Sequence, residues 1–172
     1  GHYPIRKEFV KVSSGIVLVA IDLGVGSGAY SRAFASARVF ERLLESVKRE
    51  MARRTGRRKV HIRKLGLSSW SAGYGAIKQI LRQPLAKRVD ALILLDSVYG
   101  GYLGKGSKQV NPNGLRDFVK FARAASKGRR FMFQSHSSIV PPGYASTRDV
   151  SRFMVKQLGG KLRRSRRSDV PA

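Results

Sequence analysis

The stretch Leu67-Ser68-Ser69-Trp70-Ser71-Ala72-Gly73-Tyr74-Gly75 decides how the rest of the chain is read. It follows a β-prone run from Lys59 to Leu67 and opens a helix-prone run from Ala76 to Arg82. A serine at such a strand-to-helix corner, with small residues two before (Ser69) and two after (Gly73), fits a very sharp turn. Larger side chains there would collide with the adjoining strand or helix. The turn lifts the Ser71 hydroxyl above the sheet edge and aims the Ala72 amide at any negative charge developing beside it. Locally the pattern suits two structures about equally: a nucleophile elbow, or an ordinary βα turn whose serine caps the helix.

Working outward, strands and helices alternate. Pro4, Ile5, Phe9 and Val12 have helical spacing, with Gly15 as the stop, and a short hairpin strand is the competing reading. Ile16-Val17-Leu18-Val19-Ala20-Ile21 is a continuous apolar run of the kind found in parallel strands covered on both faces, and it ends at Asp22. A glycine loop, Gly24-Val25-Gly26-Ser27-Gly28, leads to a long helix expected from Arg32 to Arg53. The next strand is read at Val60 to Leu67, and the helix after the Ser71 corner stops near Pro84. Ala91 to Leu95 and Arg130 to Gln134 are further strands, ending at Asp96 and near His136. Leu115 to Ser126 and Thr147 to Leu158 are helices. This order predicts an α/β fold: a mainly parallel sheet of about four to five strands with helices on both faces, three layers α/β/α.

Composition sets the bounds. The chain has 172 residues and 42% hydrophobic content, enough for one domain over residues 1–160 with a normal core. The remaining segment, 161–172, reads as a basic, disordered tail after Gly159-Gly160. No apolar run approaches the roughly 20 residues needed to span a bilayer, and no signal-peptide pattern is visible, so location is left open. Cysteine is absent, which removes disulfides, thiolate metal sites and cysteine nucleophiles. His2, His61 and His136 are too scattered for a metal cluster, and no metal is expected. Against 10 acidic residues stand 35 Lys and Arg, a net charge of +25. Arg53, Arg54, Arg57, Arg58 and Lys59 form one dense cluster, and Lys161, Arg163, Arg164, Arg166 and Arg167 another. Such an excess attracts nucleic acid and other polyanions, or simply keeps a surface soluble.

Ligands in parallel α/β sheets bind at the carboxyl ends of the strands, where Asp22, Ser71, Asp96 and His136 all fall. Ser71, Asp96 and His136 follow separate strands in the order Ser, Asp, His. A serine hydroxyl needs a neutral imidazole to take its proton, and the imidazole needs a carboxylate to hold its tautomer. With Ser69-Trp70-Ser71-Ala72-Gly73, Leu94-Leu95-Asp96 and Ser135-His136-Ser137 in place, the chain from about Ile16 to Leu158 resembles the α/β-hydrolase superfamily. That resemblance implies Ser71 as nucleophile, Asp96 as orienting acid, His136 as general base and the Ala72 amide as an oxyanion donor. It also implies an ester or related acyl substrate and no cofactor. The superfamily has a strand with a His-Gly loop between those that here are Ile16–Ile21 and Val60–Leu67, so the sheet is expected to lack its N-terminal strands. Gly24 and Val25 are then the candidates for the second oxyanion donor. Trp70, Tyr30, Tyr99, Tyr102 and Tyr144 crowd the same edge as candidate pocket residues.

Each site residue also has a plainer role: Ser71 as a helix cap, Asp96 as a turn former with Ser97, His136 as a loop residue. Two other functions compete. Ile21-Asp22-Leu23-Gly24-Val25-Gly26-Ser27-Gly28 is similar to the first motif of class I S-adenosylmethionine-dependent methyltransferases, and Val89–Asp96 to their fourth, which would suit an RNA substrate. That reading needs an acid at the end of the following strand, where Gly66-Leu67-Ser68-Ser69 has none. A non-catalytic, basic polyanion-binding module needs neither Ser71 nor His136.

Overall fold

The computed structural model describes residues 5–162. Six α-helices and a three-stranded parallel sheet make an α/β fold. The helices are α1 Ile5–Val12, α2 Ser27–Ala33, α3 Ala37–Thr55, α4 Tyr74–Ile80, α5 Arg116–Ala125 and α6 Thr147–Gln157; the strands are β1 Gly66–Trp70, β2 Ala91–Leu95 and β3 Phe131–Gln134. The sheet order is β1-β2-β3, with Trp70 paired to Leu95 and Leu94 to Gln134. Each crossover carries a helix, as parallel strands require. The three strands therefore end together, which brings Ser71, Asp96 and His136 to one edge.

Alternation along β2 builds the core. Leu92 and Leu94 are fully buried and join Ile77 and Ile80 of α4, Phe118 and Phe121 of α5, and Val150 and Met154 of α6. Phe34 and Phe40 extend this cluster, their rings edge to face at 6.5 Å. Arg130, just before β3, stacks its guanidinium 4.9 Å from the Phe121 ring and donates to the Ala86 and Lys87 carbonyls. That contact locks the entry of β3 to the turn before β2.

Three expectations are corrected. Ile16–Ile21 belongs to no strand, and its apolar side chains are exposed. A strand is held by its neighbours' ladder, and among the described residues no strand pairs with this run, so the sheet has three strands rather than four or five. The strand read at Val60–Leu67 is instead Gly66–Trp70. Its ladder starts only where Asp90 folds back, its carboxylate accepting from the Leu65 amide at 2.9 Å and its own amide donating to the Leu65 carbonyl at 2.8 Å. The helix expected from Arg32 to Arg53 is two helices, α2 and α3. Phe34 turns into the core at the break, and its carbonyl is taken by the Gln83 side-chain amide at 2.7 Å rather than by a helical partner.

Candidate active site

Ser71 sits where β1 ends and a short 3₁₀ turn, Ser71–Gly73, leads into α4. Its φ is +48°, in the left-handed region that residues with a Cβ rarely adopt. The fold holds it there from both sides. The Ser71 carbonyl accepts from the Ser97 hydroxyl at 2.8 Å, and the same hydroxyl lies 2.8 Å from the Ser69 hydroxyl in a buried pair. A Cβ on Gly73 would stand 3.2 Å from the Cβ of Ser69, which is why small residues flank the corner.

Asp96 directly follows β2 with φ +42°, and Val98, fully buried two residues on, has φ +72°. The Asp96 carboxylate accepts from the Thr147 hydroxyl at 2.6 Å and from the Ser137 amide at 2.8 Å, while its amide donates to the Ser135 hydroxyl at 3.2 Å. Burial pushes its pKa up. The Thr147 hydroxyl, Ser137 and the nearby His136 more than offset this and hold the carboxyl below its usual range. The acid is therefore anionic and positioned next to His136.

His136 follows β3 by two residues, and its Nδ1 lies 3.3 Å from the Ser137 carbonyl. The ring nitrogen that an orienting carboxylate would hold thus faces its neighbour's backbone. Tyr99 lies near the two other members, close enough for the Ser71 side chain and the Asp96 charge to act on its hydroxyl. Burial first, then that charge, raises the Tyr99 hydroxyl above its ordinary pKa, so it stays protonated. Its ring packs against Tyr144 at 5.5 Å and Tyr74 at 6.0 Å.

The other residues singled out in the sequence are spread more widely. Ala72 lies within the 3₁₀ turn beside Ser71. The Gly24 amide donates to the Asp22 carboxylate at 2.9 Å, and Val25 is fully exposed. Tyr30 accepts from the Leu23 amide through its hydroxyl at 3.3 Å, tying that loop to α2. Gly24 and Gly26 take positive φ, but their loop follows an unpaired segment rather than a strand end. Trp70 is exposed on the sheet. Tyr102 lines an open cleft of about 810 Å³ that begins at Ser137, one residue beyond His136, and includes Lys105, Lys108, Ile139 and Arg148. Ser97 and Thr147 are the members that sequence reading missed. Both are fully buried, and their partners lie 26 and 51 residues away, a distance at which spacing carries no signal.

Among the described residues, no group of three or more His, Asp or Glu could hold a metal ion, and no helix is long and apolar enough to cross a membrane. In the basic cluster, Arg53 and Arg54 both bond Glu50, and their hydrogen bonds lower the Glu50 carboxyl to about 2. Arg57, Arg58 and Lys59 are exposed beyond the left-handed Gly56 cap of α3. Of the tail, Lys161 is exposed, and residues 163–172 lie outside the described residues. Comparison with known protein families, with curated proteins and with solved structures returns no match.

Proposed function

We propose that this chain is a serine hydrolase of α/β-hydrolase type, cleaving an ester or related acyl bond. The observation that carries the reading is the Ser71 corner: a serine, not a glycine, at φ +48° between a parallel strand and its helix. Backbone strain of roughly 1–3 kcal/mol persists only where the surroundings impose it, and it concentrates at active sites. Two further supports are the anionic Asp96 beside His136 and the common edge on which all three residues end their strands.

In this mechanism the His136 ring turns from the Ser137 carbonyl so that Nδ1–H faces Asp96 and Nε2 faces Ser71. Ser71 Oγ attacks the acyl carbon and passes its proton to His136. The Ala72 amide stabilises the tetrahedral oxyanion. The bond to the leaving alcohol then breaks, and His136 returns the proton to that oxygen. Water, deprotonated by the same imidazole, releases the acid from Ser71. The cleft beyond Ser137 accommodates the acyl substrate.

A fluorophosphonate probe tests this directly. The wild-type chain is expected to be labelled, Ser71→Ala to lose labelling, and His136→Ala to be slowed by about 10³-fold. Labelling that survives in Ser71→Ala would end the proposal.

A further inference from the structure

The cleft beyond Ser137 is lined in a way that selects what it holds. Its volume is about 810 Å³, within the roughly 300–1,000 Å³ of small-molecule sites. Two of the segments that wall it are tied to Asp96. The Ser137 amide donates to that carboxylate at 2.8 Å, and so does the Thr147 hydroxyl, flanked by the lining residues Ser146 and Arg148, at 2.6 Å. The bonds that position the acid therefore also fix two sides of the cleft beside it. Ile139, Val140 and Tyr102 give the lining an apolar part, and Lys105, Lys108 and Arg148 give it charge.

The charge is not balanced from within. Among the described residues, Asp149 is the one acid of the lining, and its carboxylate is engaged in the cap of α6 by the Ser146 amide at 3.2 Å and hydroxyl at 2.7 Å. Among the described residues, no hydrogen bond or ion pair engages the side chains of Lys105, Lys108 or Arg148. Arg148 also works against its own helix. It is the second residue of α6, where the positive end of the helix dipole disfavours a cation. The stability of α6 does not account for it. Cations that line one cavity repel each other, and a bound anion relieves that repulsion.

We infer that the cleft binds an anionic group carried on an apolar acyl chain, so that the esters cleaved at Ser71 are those of acids with a second, charged end. The cleavage rests on the hydrolase reading; the binding does not. The test separates the two. Binding is measured by saturation-transfer NMR on Ser71→Ala, with monomethyl adipate against the neutral methyl hexanoate. The anionic ester is expected to bind about tenfold or more tightly, and less so as salt rises. One exposed cation contributes up to about fivefold, so three are changed together. Lys105→Gln, Lys108→Gln and Arg148→Gln combined should abolish the preference. The control combines Arg57→Gln, Arg58→Gln and Lys59→Gln, which removes the same charge from an exposed site elsewhere and should leave the preference intact. Circular dichroism verifies both folds. Equal binding of the two esters, a preference that survives in the cleft variant, or an equal loss in both variants would overturn the inference.

In the wild-type chain, kcat/KM for 4-nitrophenyl hydrogen adipate should exceed that for 4-nitrophenyl hexanoate about tenfold. Equal values would keep the hydrolase and overturn the inference. Selective binding without cleavage of either ester, and without fluorophosphonate labelling, would keep the anion site and end the hydrolase reading. Methyl 6-phosphonohexanoate shows which anion the cations favour: tighter binding than monomethyl adipate assigns a phosphate-like end, weaker binding a carboxylate.

Discussion

Ser71, Asp96 and Val98 hold φ of +48°, +42° and +72°, three L-residues in left-handed backbone around two adjacent strand ends. Glycine adopts that region without the Cβ clash, so Ser71→Gly should be more stable than Ser71→Ala by about 1 kcal/mol. Urea unfolding of the two variants measures this, and equal midpoints would mean that the corner is unstrained. Asp96 makes a second residue-scale prediction. Its folded pKa is lowered from 3.8, so its bonds to Thr147 and Ser137 stabilise the fold above that value. Their contribution is lost as pH falls below 3.8 and through the folded pKa. Asp96→Asn should cost about 1–2 kcal/mol at neutral pH. It should also flatten the decline in melting temperature between roughly pH 5 and pH 2. An unchanged acid profile would show that the carboxylate's charge does not matter to folding.

At the scale of elements, the tightest joint is between α2 and α4. A Cβ at Gly75 would overlap the Ser27 carbonyl oxygen and stand 2.8 Å from the Ser31 hydroxyl, which itself donates to the Gly75 carbonyl. Gly75→Ala should therefore destabilise the chain by about 1–3 kcal/mol through overpacking, whereas Gly101→Ala, with open space around its Cβ, should be nearly silent in the same thermal melt. The elements legible in sequence were those whose pattern reports local burial. Ala91–Leu95 was placed to the residue, and α5, α6 and β3 to within one or two, because apolar runs bounded by Asp, Gly or Ser mark where a chain enters and leaves a core. Ile16–Ile21 was misread because composition states what a strand would bury, not whether a neighbour is there to pair with it. The α2–α3 break was hidden because Phe34 fits a helical stripe, and only the distant Gln83 amide shows that its carbonyl leaves the helix. At the site, strand ends located Ser71, Asp96 and His136. Ser97 and Thr147, which position two of them, depend on contacts between segments far apart in the chain.

Over the whole molecule, charge dominates. Local ion pairs absorb few of the cations: Arg53 and Arg54 share Glu50, and Lys64 pairs with Asp90, while Arg57, Arg58 and Lys59 remain exposed. If this surface, with the tail from Lys161, grips polyanions, its affinity for a nonspecific DNA duplex should drop about tenfold or more between 50 and 200 mM salt. A flat response would assign the cations to solubility. The same titration bears on the unpaired run at Ile16–Ile21. Six consecutive apolar residues, without charge or proline and largely open to water, have the composition of a cross-β seed. Mutual repulsion between +25 chains is the force that keeps two such runs from stacking into a fibril. Screening that repulsion removes the gatekeeper, so the salt that releases DNA should also raise light scattering and thioflavin fluorescence. A lysine at Val19 should suppress both.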